Sequence, residues 1–138
     1  LYVGRRGFSI FTVSGTSEEE IHQSIVQHLE YSDLEFTHYP AGGKRPWYSS
    51  KKMKKMGAKS GYPDFYIANP CPDPPPWSGN LPTWIELKRP DGKLSDNQFQ
   101  RIRILEFLNH PVFVAFGFED FFEKLEWCGY DLGGIQWR

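Results

Sequence analysis

Cysteine is nearly absent from this chain. Cys71 and Cys128 are the only two, and neither sits in a Cys-x-x-Cys pair, so a disulfide scaffold or a structural zinc site is not expected. Two thiols fit a reducing, intracellular setting. No apolar run approaches the roughly 18 residues of a membrane span, and no secretory leader is visible, which leaves no membrane role in the expectation. A glycine-rich phosphate loop ending in Lys-Ser or Lys-Thr is missing, which excludes P-loop nucleotide hydrolysis and a nucleotide cofactor of that kind. Histidine is sparse as well: His22 and His28 are six apart on one predicted helix and lack a metal-binding spacing. Excess charge is missing too, with a formal net charge of only −1.

What the chain has instead is apolar and aromatic content, 39% and 17%, enough to build a folded globule. A length of 138 residues fits one domain. Residues 1–16, with Phe8, Ile10, Phe11 and Val13, are set apart as an N-terminal arm or disordered segment. Residues 17–138 form the single domain. The near-neutral total hides a strongly uneven distribution. Lys44, Arg45, Lys51, Lys52, Lys54, Lys55 and Lys59 follow one another with no acid between them, whereas Glu119, Asp120, Glu123, Glu126 and Asp131 cluster near the end. A basic run of this kind is either a solvated loop or a surface for a polyanion.

Ser17 and Glu20 have capping-box spacing and predict a helix from about Ser17 to Tyr31, with Glu18, Ile21, Ile25 and Leu29 on one side. Glu35–Tyr39 reads as a strand, and one helical turn is expected at Lys51–Met56. Strands follow in Gly61–Ile67 and Thr83–Lys88, separated by a proline-rich loop. Ser95 and Gln98 repeat the capping-box spacing ahead of a helix to about Asn109, whose apolar face is Ile102, Leu105 and Leu108. Val112–Phe116 is a buried strand, and a last helix runs from Glu119 to Trp127. The order helix, three strands, helix, strand, helix predicts an α/β fold with a small mixed sheet flanked by helices.

Two of these strands carry charge where the rest of the strand is apolar. In Thr83–Lys88 the period of two sets Trp84, Glu86 and Lys88 on one face and Ile85 and Leu87 on the other. An isolated Glu-x-Lys is common and is usually a solvated strand face. If the Asp64 strand pairs beside it, however, two carboxylates converge with one cation. Such a group can hold Mg²⁺ through oxygens and ready a water for attack on a phosphodiester. Glu18 is either a helix-dipole acid or a third acid at the end of the buried stripe. Trp47, Tyr48 and Tyr62 are packing residues or platforms for splayed bases.

Gly61-Tyr-Pro-Asp64, Glu86-Leu-Lys88 and Leu94-Ser-Asp-Asn-Gln98, in this order after the Ser17 helix and the basic segment, resemble the virus-type replication-repair nuclease (VRR-NUC) domain of the PD-(D/E)XK superfamily. The resemblance runs from about Ser17 to Phe122. It implies a restriction-endonuclease-like core and a metal held by Asp64, Glu86, the Leu87 carbonyl and Glu18, with Lys88 and Gln98 completing a catalytic set. Gln98 then either caps Ser95 or faces the site. The resemblance further implies Mg²⁺, with Mn²⁺ able to substitute, and branched DNA as the substrate of a homodimeric four-way-junction resolvase. The basic run from Lys44 to Lys59 would bind that DNA. A monomeric single-strand or flap nuclease is the enzymatic alternative, and a DNA-binding module without chemistry the other. A phage- or bacterium-encoded cytoplasmic protein is expected.

Overall fold

A computed structural model describes residues 16–40 and 47–138. The N-terminal arm expected at 1–16 lies almost wholly outside the described residues, as do Lys44 and Arg45. Among the described residues eight elements follow one another: α1 (Glu18–Leu29), β1 (Phe36–His38), α2 (Trp47–Lys55), β2 (Phe65–Pro70), β3 (Pro82–Lys88), α3 (Asp96–Phe107), β4 (Val112–Phe116) and α4 (Phe118–Trp127). The strands form one sheet in the order β1-β2-β3-β4, antiparallel in the first two pairings and parallel in the last. The fold is the mixed α/β architecture expected from the element order.

Alternation along β3 divides the sheet into two faces. Thr83, Ile85 and Leu87 are buried, and Ile85 and Leu87 join the main core with Ile21, Ile25 and Leu29 of α1 and Phe121, Phe122 and Leu125 of α4. Each large apolar side chain buried there contributes on the order of 1.5–3 kcal/mol. The opposite face has a smaller cluster, Ile102 and Leu105 of α3 with Val112, against which Trp84, Tyr62, Leu94 and Val114 pack. The site builds up at the end of this second face.

α1 begins as its capping box requires: the Ser17 hydroxyl accepts from the Glu20 amide at 3.0 Å, and Glu20 Oε1 accepts from the Ser17 amide at 3.0 Å. Those bonds also hold the Glu20 carboxyl below the usual carboxylate range. The basic segment is longer than the single turn expected. Lysine and methionine are good helix formers and no proline interrupts them, so α2 continues over Trp47–Lys55 until Gly57, at φ +97°, takes the left-handed position that ends it. Leu108 also departs from expectation. α3 stops at Phe107, and Leu108, as its C-cap, turns out to 55% exposure instead of closing the apolar face.

α4 protects the outer strand. Lys124 Nζ donates to the Val114 carbonyl at 3.0 Å and pairs with Asp120 at 2.9 Å, while Asp120 Oδ2 accepts from the Phe116 amide at 2.8 Å. Backbone groups of β4 are thereby taken up by side chains and not offered to another strand. The proline-rich connection is tied down too. Cys71 and Cys128, far apart in sequence, come together there as buried free thiols, with Cys71 Sγ 3.7 Å from the Cys128 carbonyl.

Tyr130 fixes the same region. Its hydroxyl donates to the Asn69 carbonyl at 2.7 Å, so the contact of 2.7 Å to Thr83 must be donated by Thr83, whose side chain is fully buried. Tyr130→Phe should leave the Thr83 hydroxyl and the Asn69 carbonyl short of a partner and lower unfolding stability by about 1–3 kcal/mol. Urea denaturation checks this. A decrease below about 0.5 kcal/mol would mean that water replaces the phenol.

Candidate active site

Pairing of β2 with β3 places Phe65 opposite Ile85 and Tyr66 opposite Trp84. Continued by one residue, that register sets Asp64 beside Glu86. Asp64 itself lies just before β2, which starts at Phe65 and not at Gly61. Its side chain substitutes for the ladder: Asp64 Oδ2 accepts a hydrogen bond from the Leu87 amide at 2.7 Å. A carboxylate is thus locked to the backbone between Glu86 and Lys88, while the Leu87 side chain stays buried in the main core.

Close packing ahead of Asp64 brings in α3. Gly61 has φ +85°, and a Cβ there would stand 2.7 Å from the Asn97 carbonyl oxygen, so only glycine allows this approach. Asn97 Nδ2 donates to the Ser60 hydroxyl at 2.6 Å, and Arg101 Nε donates to the Ser60 carbonyl at 3.3 Å. The start of α3 is therefore clamped against the segment that delivers Asp64.

Gln98 resolves the choice between cap and site by filling both places. Its Oε1 accepts from the Ser95 amide at 2.9 Å, and its Nε2 donates to Glu86 Oε2 at 3.0 Å. An amide has separate donor and acceptor ends, so the two uses do not compete. Lys88 Nζ stands 3.5 Å from the same Glu86 oxygen, with only 13% of its side chain exposed. The Glu86 residue is 1% exposed. Burial first, and then the neighbouring Asp64 carboxylate, push the Glu86 carboxyl up to about 9, against the opposing pull of Lys88.

Glu18 enters from the first turn of α1. Burial raises its carboxyl, the Asp64 charge adds to this, and Lys88 and Arg89 oppose it. It lines the same cavity, of about 1020 Å³, as Asp64, Glu86, Lys88 and Gln98. The five side chains expected to form the site from four separate parts of the chain are thus brought together. Lys54 and Lys59 line the cavity as well, while Lys51, Lys52 and Lys55 are exposed on α2.

Two histidines stand in this wall without having been expected there. His38 Nδ1 lies 3.0 Å from the Asp64 carbonyl oxygen, and the His22 ring meets that of His38 edge-on at 4.5 Å and stacks on Phe65 at 4.4 Å. Burial, and then His38, lower the His22 imidazole. Their sequence spacing carries no signal, because one comes from a helix and the other from a strand.

Among the described residues, no three His, Cys, Asp or Glu side chains are gathered so as to bind a metal unaided. The donor set nevertheless fits a hard divalent cation completed by water. Among the described residues Glu86 Oε1 is buried with no hydrogen-bond partner, and a buried carboxyl oxygen left unpaired is costly unless a proton or a cation meets it. Asp64 stands beside it, and the Leu87 carbonyl lies in the intervening backbone.

Comparison with known proteins bears on the fold and the family. No curated protein matches the chain. A solved structure described as a VRR_NUC domain protein shares its fold, with a TM-score of 0.68 at 20% identity over 85% of this chain and 91% of the other. The family model for the VRR-NUC domain matches residues 16–119, a span holding α1, the basic helix, both carboxylate-bearing segments and Gln98. The chain therefore belongs to the VRR-NUC domain family, nucleases of the PD-(D/E)XK type.

Proposed function

We propose that this protein is a Mg²⁺-dependent, structure-specific endodeoxyribonuclease that resolves four-way DNA junctions as a homodimer, with Mn²⁺ able to substitute for Mg²⁺. The observation that carries the chemistry is the convergence of Asp64, held by the Leu87 amide, with Glu86 and Lys88 on adjoining strand ends. A bound divalent cation would supply Lewis acidity and lower the pKa of its water. Asp64, Glu86 and the Leu87 carbonyl would hold it, with Glu18 at the far wall. Gln98 keeps the Glu86 carboxylate turned into the cavity, through a bond that also anchors α3. The Lys88 ammonium is a preorganised positive charge for the pentacovalent phosphate and the attacking oxygen; electrostatic stabilisation of that kind needs no deprotonated lysine.

The dimer has its own support. Ile104, Phe107 and Leu108 leave a partly apolar surface on the C-terminal half of α3, at 48%, 86% and 55% exposure, which a second copy would cover. Two sites are what cutting opposite strands of a junction requires. Incubation with four-way junction, flap, single-stranded and duplex DNA, in Mg²⁺ and in EDTA, tests the reading. Paired cuts in the junction that depend on Mg²⁺ are expected. Cutting of flaps or single strands alone would overturn the junction assignment, and binding without any cutting would overturn the enzymatic one.

Asp64→Ala and Glu86→Ala should each abolish cleavage while DNA binding persists, because each removes a metal ligand and leaves the phosphate-binding side chains in place. Retention of more than about a tenth of the rate, equivalent to about 1.4 kcal/mol of barrier, contradicts the assignment. Lys88→Ala should slow single-turnover cleavage by roughly 10²–10³ and leave metal affinity in place, as removal of one preorganised charge does.

Neutralising Lys51, Lys52, Lys54 and Lys55 together should flatten the plot of log affinity against log salt for a duplex arm. The slope is expected to change by up to about 0.9 for every phosphate that the lysines had neutralised. An unchanged slope would make the exposed face of α2 a solvated surface only.

A further inference from the structure

The cavity that holds the carboxylates has an aromatic side. Tyr39, which follows β1, and Tyr62, which precedes Asp64, both line it. Their ring centroids are 5.2 Å apart, and both meet Trp84, at 6.1 Å and 5.4 Å. Tyr66 continues the group across the strands, 4.8 Å from Trp84. All four side chains are half-buried. α3 covers the β4 side of this face and reaches Trp84 and Tyr62, leaving Tyr39 and Tyr66 on the β1–β2 side.

Packing explains only part of the group. Trp84 and Tyr62 rest on the small cluster under α3, but Tyr39 and Tyr66 do not belong to it. The phenols differ from that of a core tyrosine. Tyr130, fully engaged in the interior, has both a donor and an acceptor partner. The phenol oxygens of Tyr39, Tyr62 and Tyr66 are not among the buried unpaired polar atoms of the described residues, which sets these rings at the wall of the cavity and not in a packed interior. Beside the rings stand positive charges. The Arg101 guanidinium lies 4.9 Å from the centre of the Tyr62 ring, and Lys54 and Lys59 line the same cavity.

We propose that Tyr39 and Tyr62, backed by Trp84, form a stacking site for an unpaired nucleobase next to the phosphate in the metal pocket. This rests on the nuclease reading above and deepens it. Three features select this occupant. The rings are continuous with the carboxylate cavity, so a strand whose phosphate enters that cavity brings its adjoining bases to them. Aromatic faces accept any base, because every base has a π-face. The neighbouring cations complement the strand's backbone and not an apolar ligand. A base stacked inside a duplex has no free face to offer. The site therefore favours DNA that is unpaired or opened at the cleavage position, such as the branch point of a junction or flap.

Fluorescence anisotropy with the whole protein in EDTA tests this without cutting. The probes are a short oligothymidylate, a strand of the same length and charge in which every base is replaced by an abasic analogue, and a duplex of fixed sequence. Wild type should bind the oligothymidylate at least tenfold more tightly than the abasic strand. In Tyr39→Leu combined with Tyr62→Leu, that preference should shrink to about twofold or less, with duplex affinity unchanged. Circular dichroism establishes folding, and the wild-type comparison stands even if the variant does not fold. Equal wild-type binding to the two single strands overturns the stacking site alone. A folded double variant that keeps the full preference does the same. Failure to bind any of the three probes overturns the nuclease reading with it.

Discussion

A hydrogen bond of 2.7 Å from the Leu87 amide to Asp64 Oδ2 ties the site to the sheet. It stands where the β2–β3 ladder would otherwise have continued through backbone groups. Because a carboxylate takes the place of a carbonyl, pairing ends there and a negative charge is fixed beside Glu86. Glu86 is then held by Gln98 and Lys88 at one oxygen, with the other buried and unpaired. Desolvation and the like charge of Asp64 drive its carboxyl toward the neutral form. A cation between the two carboxylates would reverse that balance, which is why this cluster reads as a site suited to added positive charge and not as a buried salt bridge kept for stability.

The rest of the fold maintains that juxtaposition. Ile85 and Leu87 enter the main core while Glu86, between them, points to the opposite face, so the residues that anchor β3 also aim its carboxylate. α1 is seated by Ile21, Ile25 and Leu29, and its first turn carries Glu18 to the cavity. On the other side, the contact of Gly61 with Asn97 and the bonds of Ser60 to Asn97 and Arg101 hold α3 against the approach to Asp64. The same short segment leads back to α2. Its lysines are therefore covalently close to the carboxylates while remaining exposed.

Much of this was legible from periodicity and spacing, and the exceptions have physical reasons. Strand alternation was enough to put Glu86 and Lys88 on one face, and two capping boxes located the starts of α1 and α3. The spacing of Ser95 and Gln98 could not say whether Gln98 capped or faced the site, because the two uses engage different atoms of one amide. Leu108 kept the helical period of Ile102 and Leu105, but period does not reveal where a helix stops. α2 was underestimated because propensity within a charged segment has no apolar stripe to mark its ends. His22 meeting His38, and Cys71 meeting Cys128, depend on how α1 crosses β1 and how the proline-rich loop meets α4. No local pattern in the sequence encodes either contact.

The central claim is that Asp64 and Glu86 are two halves of one divalent-cation site. Anomalous diffraction from crystals of the protein soaked in Mn²⁺ tests it most directly. The expected result is an anomalous peak in direct coordination contact with both carboxylates and the Leu87 carbonyl. At saturating Mn²⁺, a difference map with no peak there, and with Glu86 still held only by the Gln98 hydrogen bond and the Lys88 ion pair, would contradict it.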